Sequence, residues 1–380
     1  MKIGITTFGC DLKSGMSRYV TNLITQFSTI DKYNDFEVLL HERAKSEYFS
    51  RVENNNIKSV NVSETLKNPL LNVAWHQIAL PSICKQRKYD VLFLPAASRR
   101  APVWTPCPTI GTVHDLAAFH VSGKYDNFRN LYQNKLLPFM FKQLTHIIAI
   151  SESTKRDIME YVGVPEEKIT VIHHAADTET FYPRDKQASI AVVKNYGIRA
   201  PYMIYTSRIE HPGKNHIRLI HAFEKLKKEH DIPHQLVLAG ADWDGAEEVH
   251  LVANSSKYNK DILLTGFVKG DHLPFLYSAA DMMVFPSLFE GFGLPILEAM
   301  SCGVPVACSN VSSMPEIADG AAVLFDPYDM DSIVDSLLSM VSSQDTCNKF
   351  AQKGFERSTQ FSWQNTAQKT LDVILNIMEG

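Results

Sequence analysis

Short apolar runs alternate with longer amphipathic segments along the first half of the chain. The runs interpreted as buried β-strands lie at residues 2–8, 36–41, 90–94, 108–113 and 146–150, and the segments interpreted as helices lie at 17–30, 71–87, 125–144 and 151–162. Strands that alternate with helices are typical of a parallel sheet covered on both faces. The first half is therefore predicted to be a doubly wound α/β domain.

A second series of the same kind follows a polar stretch at residues 175–190, which shows little periodicity and is interpreted as an interdomain linker. Its strand candidates lie at 202–206, 235–239, 262–265, 281–285, 304–308 and 321–325, and its last helical stretches lie at 329–357 and 361–379. The predicted domains are therefore residues 1–180 and 190–358, with a C-terminal helix at 359–380.

Composition and charge limit the classes of function. Of 380 residues, 38 are Lys or Arg and 42 are Asp or Glu, giving a formal net charge of −4 without a basic run, so no nucleic-acid partner is expected. The six cysteines form no CxxC pair, which favours reduced thiols in a cytoplasmic protein. No apolar run has the length of a membrane span, so we expect a cytoplasmic protein, peripheral at the inner face of the membrane at most.

The segment 129–145 combines basic side chains with large apolar ones. Such a segment could lie on a membrane surface. Because Pro138 interrupts it, an ordinary half-buried helix is the favoured interpretation.

The strongest candidate site lies in the stretch FPSLFEGFGLPILEAMSCGVPVA, residues 285–307. Pro286 cannot continue a strand, and Gly291 and Gly293 permit a tight turn before a helix that begins near Leu294. The N-terminus of a helix that follows a glycine-bearing loop suits an anion such as phosphate.

Two carboxylates, Glu290 and Glu298, flank this predicted anion site. Carboxylates repel phosphate but accept hydrogen bonds from hydroxyl groups. The combination predicts a ligand that carries both groups, a phosphorylated sugar or a nucleotide-sugar.

A second anion feature follows the predicted strand at 202–206. Arg208 and Lys214 stand six residues apart on one loop, so they could reach two oxygens of one diphosphate. The alternative is a pair of solvated surface charges. Two anion features after two strands of one domain favour the binding interpretation.

Three further features carry weaker signals. His114 follows the run at 108–113 and could donate to a sugar hydroxyl or carry a proton, although a structural hydrogen bond is the alternative. The loop from Gly9 to Gly15 lacks the G-x-G-x-x-G of dinucleotide sites and is interpreted as a loop that admits substrate. Asp242 and Asp244 could hold a divalent metal, but two cations are already available for phosphate, so no metal is expected and a helix-capping loop is favoured.

At these residues the sequence resembles the retaining glycosyltransferases of family 4, and the resemblance covers essentially the whole chain. Its most specific mark is the Glu-x7-Glu signature, matched by Glu290 and Glu298. The resemblance implies the GT-B fold, an α/β architecture in which two Rossmann-like, doubly wound parallel-sheet domains face a central cleft. It also implies that the C-terminal helix crosses back to the N-terminal, acceptor-binding domain.

The resemblance further implies roles for single residues. Glu290 would contact the donor sugar, Glu298 would hold the ribose diol, and His114 would also contact the sugar. Arg208 and Lys214 would grip the diphosphate. The nucleotide-sugar would also meet the backbone of the loop that leads into the helix and the glycine that precedes SRYV at 17–20; these residues are Gly291, Phe292, Gly293, Leu294 and Gly15.

The expected reaction is transfer of a hexosyl unit, with retention and without a metal or cofactor, from a nucleotide-diphosphate sugar to a glycan or lipid-linked sugar in polysaccharide biosynthesis. The sequence does not fix the donor, and on commonness alone UDP-glucose is expected first and GDP-mannose second. A nucleotide-sugar epimerase on the same fold, or a catalytically silent subunit of a polysaccharide-assembly complex, are the alternatives.

Overall fold

The computed structural model describes residues 1–8, 15–52, 54–97, 100–120 and 135–379. Within these ranges the chain forms two compact units. The first unit comprises Met1–His174 together with the chain from Ser362 onward, and the second comprises Ala175–Phe361. Most of the loop expected to admit substrate, residues 9–14, lies outside the described residues.

The first unit is built on a seven-stranded parallel sheet in the order β3-β2-β1-β4-β5-β6-β7. Its strands are β1 (Lys2–Thr6), β2 (Asp35–Leu40), β3 (Ile57–Asn61), β4 (Val91–Leu94), β5 (Thr109–Val113), β6 (His146–Ala149) and β7 (Ile169–Val171). Every residue of β4 and β5 is buried, because helices cover both faces of the sheet.

The helices of the first unit include one from the far end of the sequence. Within the described residues, the α-helices are Gly15–Ile30, Lys45–Tyr48, Pro69–Arg87, Leu137–Lys142, Glu152–Asp157 with a π-helical turn at Ile158–Val162, and Trp363–Glu379. The last helix packs on the first, where the ring centroids of Tyr19 and Trp363 lie 6.0 Å apart. Thr366 Oγ1 of the last helix also donates to the carbonyl oxygen of His173, which follows β7, at 2.8 Å.

The second unit contains a six-stranded parallel sheet in the order β10-β9-β8-β11-β12-β13. Its strands are β8 (Tyr202–Thr206), β9 (Gln235–Ala239), β10 (Ile262–Gly266), β11 (Met282–Phe285), β12 (Val306–Ser309) and β13 (Val323–Phe325). The chain proceeds from β8 to one side of the sheet and then crosses to β11 on the other side. The boundary between β8 and β11 is thus the switch point beyond which open α/β sheets bind ligands.

Eight helices of the second unit lie within the described residues. They are Lys186–Lys194, His216–His230, Ala246–Ser255, Leu273–Ser278, Leu294–Ser301, Met314–Ala318, Met330–Val341 and Gln344–Ser358.

The secondary structure differs in three places from the elements that the sequence pattern predicts. The sequence pattern does not predict the edge strand β3, because IKSVN mixes polar and apolar residues, as edge strands commonly do. The expected linker overlaps the helix Lys186–Lys194, whose first turn is capped by the side chain of Asp185. The single helix expected at 329–357 is two helices, the second of which begins after a Ser343 cap.

The part of the 129–145 segment that the structure describes is a half-buried helix, as favoured from the sequence. The helix Leu137–Lys142 buries four of its six residues, while Phe139 is 53% exposed. Residues 129–134 lie outside the described ranges. Among the helices that are described, none combines the length and the apolar character that crossing a membrane would require.

Candidate active site

The loops that follow β8 and β11 are joined to each other at the switch point. Leu288 N donates to the Gly213 carbonyl oxygen at 3.0 Å, and Asn215 Nδ2 donates to the Pro286 carbonyl oxygen at 3.0 Å. Tyr205, at the end of β8, donates its hydroxyl to the Lys214 carbonyl oxygen at 2.9 Å. Burial raises the pKa of this hydroxyl, so it remains a donor. These bonds hold the two loops side by side.

Lys214 and Glu290, one from each loop, form an ion pair. The distance from Lys214 Nζ to Glu290 Oε1 is 2.7 Å, and the side chains are 16% and 15% exposed. The backbone of Glu290 is also held, because Ser312 and Ser313 both donate their hydroxyls to its carbonyl oxygen. A lysine and a carboxylate that the sequence separates by 76 residues thus meet in a mostly dehydrated place.

Arg208 lies on the same loop as Lys214 but has other partners. Its Nη2 is 3.1 Å from Glu210 Oε2, and its guanidinium carbon lies 4.7 Å from the centroid of the Trp243 ring. The Arg208 side chain is 46% exposed, whereas that of Glu210 is only 5% exposed. The guanidinium therefore has an anchored side and a side open to solvent.

The helix Leu294–Ser301 begins as its sequence predicts. Gly293 is the N-cap with φ of 97°, a backbone conformation that strains any residue with a side chain, and Pro295 stands in the first turn. Since glycine has no side chain to cap the first turn, the helix start suits an anionic group.

Glu298 lies one turn further along this helix and is 5% exposed. Tyr277 donates its hydroxyl to Glu298 Oε2 at 3.4 Å and also lies 2.5 Å from Thr206 Oγ1 at the end of β8. Burial, and after it the neighbouring Glu298, raises the pKa of Tyr277 well above its ordinary value, so its hydroxyl stays protonated. The carboxylate is thereby tied to the end of β8.

The structure thus brings Arg208, Lys214, Glu290, Glu298 and residues 291–294 to one edge of the second sheet. Two family models match the chain. The profile described as Glycosyl transferases group 1 matches residues 193–357, and that described as Glycosyltransferase Family 4 matches residues 13–180. O-antigen chain mannosyltransferase B of Escherichia coli is 32% identical over 265 residues, which are 69% of each chain.

The chain belongs to glycosyltransferase family 4.

A second relative agrees with this assignment, and a solved structure shares the fold. The serotype-specific mannosyltransferase WbdA of Escherichia coli is 32% identical over 72% of this chain, which spans about a third (34%) of that longer protein. The crystal structure of Anabaena HepE in complex with UDP and glucose has a TM-score of 0.75 and 16% identity, and the match covers 98% of this chain and 99% of that one. The likeness to HepE concerns the fold, the GT-B fold of two parallel-sheet α/β units.

Two candidate residues of this glycosyltransferase lie in its first unit. His114, at the carboxyl end of β5, is 7% exposed, and its Nε2 lies 2.7 Å from the Pro95 carbonyl oxygen. Because a carbonyl oxygen only accepts hydrogen bonds, Nε2 carries the proton and donates it to the Pro95 carbonyl oxygen. Tyr19 and His174 pack edge-on against the His114 ring at 5.0 and 5.3 Å. Gly15 is the first residue of the helix Gly15–Ile30, and a Cβ there would meet no atom of the described residues within 4 Å.

The loop that contains Asp242 and Asp244 differs from the helix-capping loop expected. The cap of the helix Ala246–Ser255 is Gly245, and no side chain caps it. Asp242 Oδ1 instead lies 2.9 Å from His250 Nε2, and the Asp244 carbonyl oxygen accepts from His211 N. Among the described residues, no group of three or more His, Cys, Asp or Glu side chains is placed to hold a metal ion.

Sequence reasoning missed the residues that hold the charged groups in place. Glu210 and Trp243 contact Arg208, and Ser312 and Ser313 bind the backbone of Glu290. The serines carried no signal, because they lie 22 and 23 residues from Glu290 in the sequence. Glu210 stood between Arg208 and Lys214, so its position in that loop was the available clue.

Proposed function

We propose that this glycosyltransferase moves a mannosyl unit from GDP-mannose to a hydroxyl of a glycan or lipid-linked glycan during polysaccharide assembly. The observation that carries the proposal is the meeting of the Arg208–Lys214 loop with the Glu290 loop and the helix start at the switch point of the second sheet. The names of the relatives, which are mannosyltransferases, favour mannose. They give no support to UDP-glucose, the donor expected first from the sequence, so GDP-mannose replaces it.

The chemistry we propose is mainly the stabilisation of charge. The bond between the sugar anomeric carbon and the diphosphate breaks, and negative charge develops on the leaving phosphate oxygens. Arg208, Lys214 and the start of the helix Leu294–Ser301 would stabilise that charge. Because these residues supply the positive charge, the proposed reaction uses neither a metal nor a cofactor.

We propose that the sugar keeps its anomeric configuration. The acceptor hydroxyl would attack the face that the diphosphate leaves, through an oxocarbenium-like state, and its proton would pass to the leaving phosphate oxygen. Glu290 would then turn from Lys214 to the sugar hydroxyls and orient them, since its carboxylate oxygens accept such hydrogen bonds. Glu298 would hold the ribose diol in the same way.

The deciding experiment is a donor panel. GDP-mannose, UDP-glucose, UDP-galactose and ADP-glucose are each incubated with the protein, with and without an octyl α-mannoside or a mannose oligosaccharide, and nucleoside diphosphate release is measured. Acceptor-dependent release from GDP-mannose, with an α-linked product by NMR, is the expected result. Conversion of the nucleotide-sugar without nucleoside diphosphate release would indicate an epimerase, and the absence of turnover and of nucleotide binding would indicate a silent subunit.

A further inference from the structure

The loop that follows β9, residues 240–245, runs alongside the Arg208 loop and prolongs the pairing of β8 with β9. Ile209 N donates to the Ala241 carbonyl oxygen at 2.9 Å, and Trp243 N donates to the Ile209 carbonyl oxygen at 2.9 Å. The two loops approach so closely at Gly240 that a Cβ there would lie 1.7 Å from the Ser207 carbonyl oxygen. The position of Trp243 relative to Arg208 is therefore fixed by the main chain.

The side chains of Trp243 and Glu210 both contact the guanidinium of Arg208. The guanidinium carbon of Arg208 lies 4.7 Å from the centroid of the Trp243 ring, and Arg208 Nη2 is 3.1 Å from the buried carboxylate of Glu210. An aromatic face attracts a cation without accepting its N–H groups in the way that a carboxylate does. Contact with Trp243 therefore restrains the guanidinium and leaves most of its five N–H donors available.

We infer that Trp243 is a positioning residue that holds the Arg208 guanidinium in place for the diphosphate of the donor. The inference rests on the proposed function, because it assigns Arg208 to the leaving group. It gives the Asp242-Trp243-Asp244 triplet a role that is neither metal binding nor helix capping. The long, otherwise mobile side chain of Arg208 is ordered before the donor arrives, so less conformational entropy is lost when the phosphate oxygens bind.

A structural role for the Trp243 side chain is a poor alternative. The residue is 52% exposed, so its ring contributes little to the packed core. A base-stacking role is the second alternative, since an exposed indole can also stack on a nucleobase. The two functional roles differ in the part of the donor that they affect, and the experiment is built on that difference.

The test compares Trp243→Ala and Trp243→Phe with the wild type, using Trp104→Ala as the matched control. Trp104 is an exposed tryptophan of the first unit, 65% accessible to solvent. Loss of a cation–π contact is expected to lower kcat/KM for the donor by about three- to thirty-fold in Trp243→Ala. Trp243→Phe, which keeps an aromatic face, is expected to retain most of the activity, and the unfolding temperature should not change in any of the three variants.

A double-mutant cycle asks whether Trp243 acts through Arg208. In an Arg208→Gln background, adding Trp243→Ala should change kcat/KM by less than about twofold, because the cation that Trp243 positions is gone. Inhibition by inorganic pyrophosphate should weaken in Trp243→Ala as much as inhibition by GDP. Equal losses in both backgrounds, or a loss for GDP with unchanged pyrophosphate inhibition, would overturn the inference, the second result in favour of base stacking.

The failure of this inference is distinguishable from failure of the proposed function. If the wild type neither turns over any nucleotide-sugar nor binds GDP in a calorimeter, the proposed function fails and the inference falls with it. If the wild type is active and Trp243→Ala has the same kcat/KM as Trp104→Ala, only the inference fails.

Discussion

Lys214 Nζ lies 2.7 Å from Glu290 Oε1, which pairs a cation implied to serve the diphosphate with a carboxylate implied to serve the sugar. Both side chains are about 85% buried, so little water screens the attraction between them. If the diphosphate binds Lys214 as proposed, it competes with the Glu290 carboxylate for the ammonium group. The displaced carboxylate is then available to the sugar hydroxyls.

The first prediction concerns the carboxylate of that pair. Glu290→Gln removes the competitor for Lys214, so the affinity for GDP should rise by about two- to ten-fold, corresponding to about 0.4–1.4 kcal/mol. Turnover should fall by at least about tenfold, because an amide orients sugar hydroxyls less well than a carboxylate. Calorimetric titration with GDP and initial rates check the two halves separately. Weaker GDP binding in Glu290→Gln would contradict the competition between carboxylate and phosphate.

The second prediction concerns the cation. Lys214→Ala leaves the mostly buried Glu290 without this partner, so the free energy of unfolding should fall by about 1–3 kcal/mol. Turnover should fall by about 10²–10³-fold through loss of charge stabilisation. Chemical denaturation and steady-state kinetics measure the two effects.

Lys225 provides the matched control for that experiment. It forms an ion pair with Asp331 on the surface of the same unit, and Asp331 is 66% exposed. Because surface ion pairs contribute little, Lys225→Ala should leave both unfolding and turnover unchanged. Equal activity of Lys214→Ala and Lys225→Ala would refute the assignment of Lys214 to the diphosphate.

The third prediction contrasts two glycines. Gly240→Ala places a Cβ 1.7 Å from the Ser207 carbonyl oxygen, a backbone atom that cannot move freely, so it should lower the free energy of unfolding by about 3 kcal/mol. The added Cβ of Gly15→Ala meets no atom of the described residues within 4 Å, so we expect it not to destabilise the protein. If the donor approaches Gly15 as the resemblance implies, turnover of Gly15→Ala should still fall by at least about threefold. Full activity of a stable Gly15→Ala would argue against that approach.

The fourth prediction concerns acid stability. Burial lowers the pKa of His76 in the first unit to about 4 and that of His216 in the second unit to about 3. Below the ordinary histidine pKa of 6.5, these two histidines bind protons in the unfolded chain but remain neutral in the folded one. Stability is therefore complete above pH 6.5 and falls, by about 1.4 kcal/mol per pH unit for each histidine, as the pH drops toward 4.

Urea denaturation at pH 7 and pH 5 measures this loss. His76→Gln and His216→Gln should each flatten the pH dependence by the share of one histidine, about 2 kcal/mol between the two pH values. Equal stability of the wild type at pH 5 and pH 7 would show that these rings are protonated without cost in the folded protein.

Much of the fold could be read from the sequence. The apolar runs that became β4, β5, β8 and β11 are buried from end to end, so every residue in them is apolar or small, and a single pattern reveals each strand. The start of the helix Leu294–Ser301 could be predicted from the sequence. Gly293 permits the positive φ of the N-cap and Pro295 fits the first helical turn, and both preferences are local properties of the backbone. The edge strand β3 could not be predicted in this way, because a strand with one paired edge does not need a continuous apolar run.

The amino-acid sequence by itself determined the two α/β series, the glycine-led helix start and the identities of Arg208, Lys214, Glu290 and Glu298, because these rest on local pattern and side-chain chemistry. Only the tertiary structure decided that Lys214 pairs with Glu290 and that the Trp243 ring lies against the Arg208 guanidinium. The physical reason is sequence distance. Contacts between residues tens of positions apart follow from the strand order, which places the ends of β8, β9 and β11 side by side, and no local pattern encodes that order.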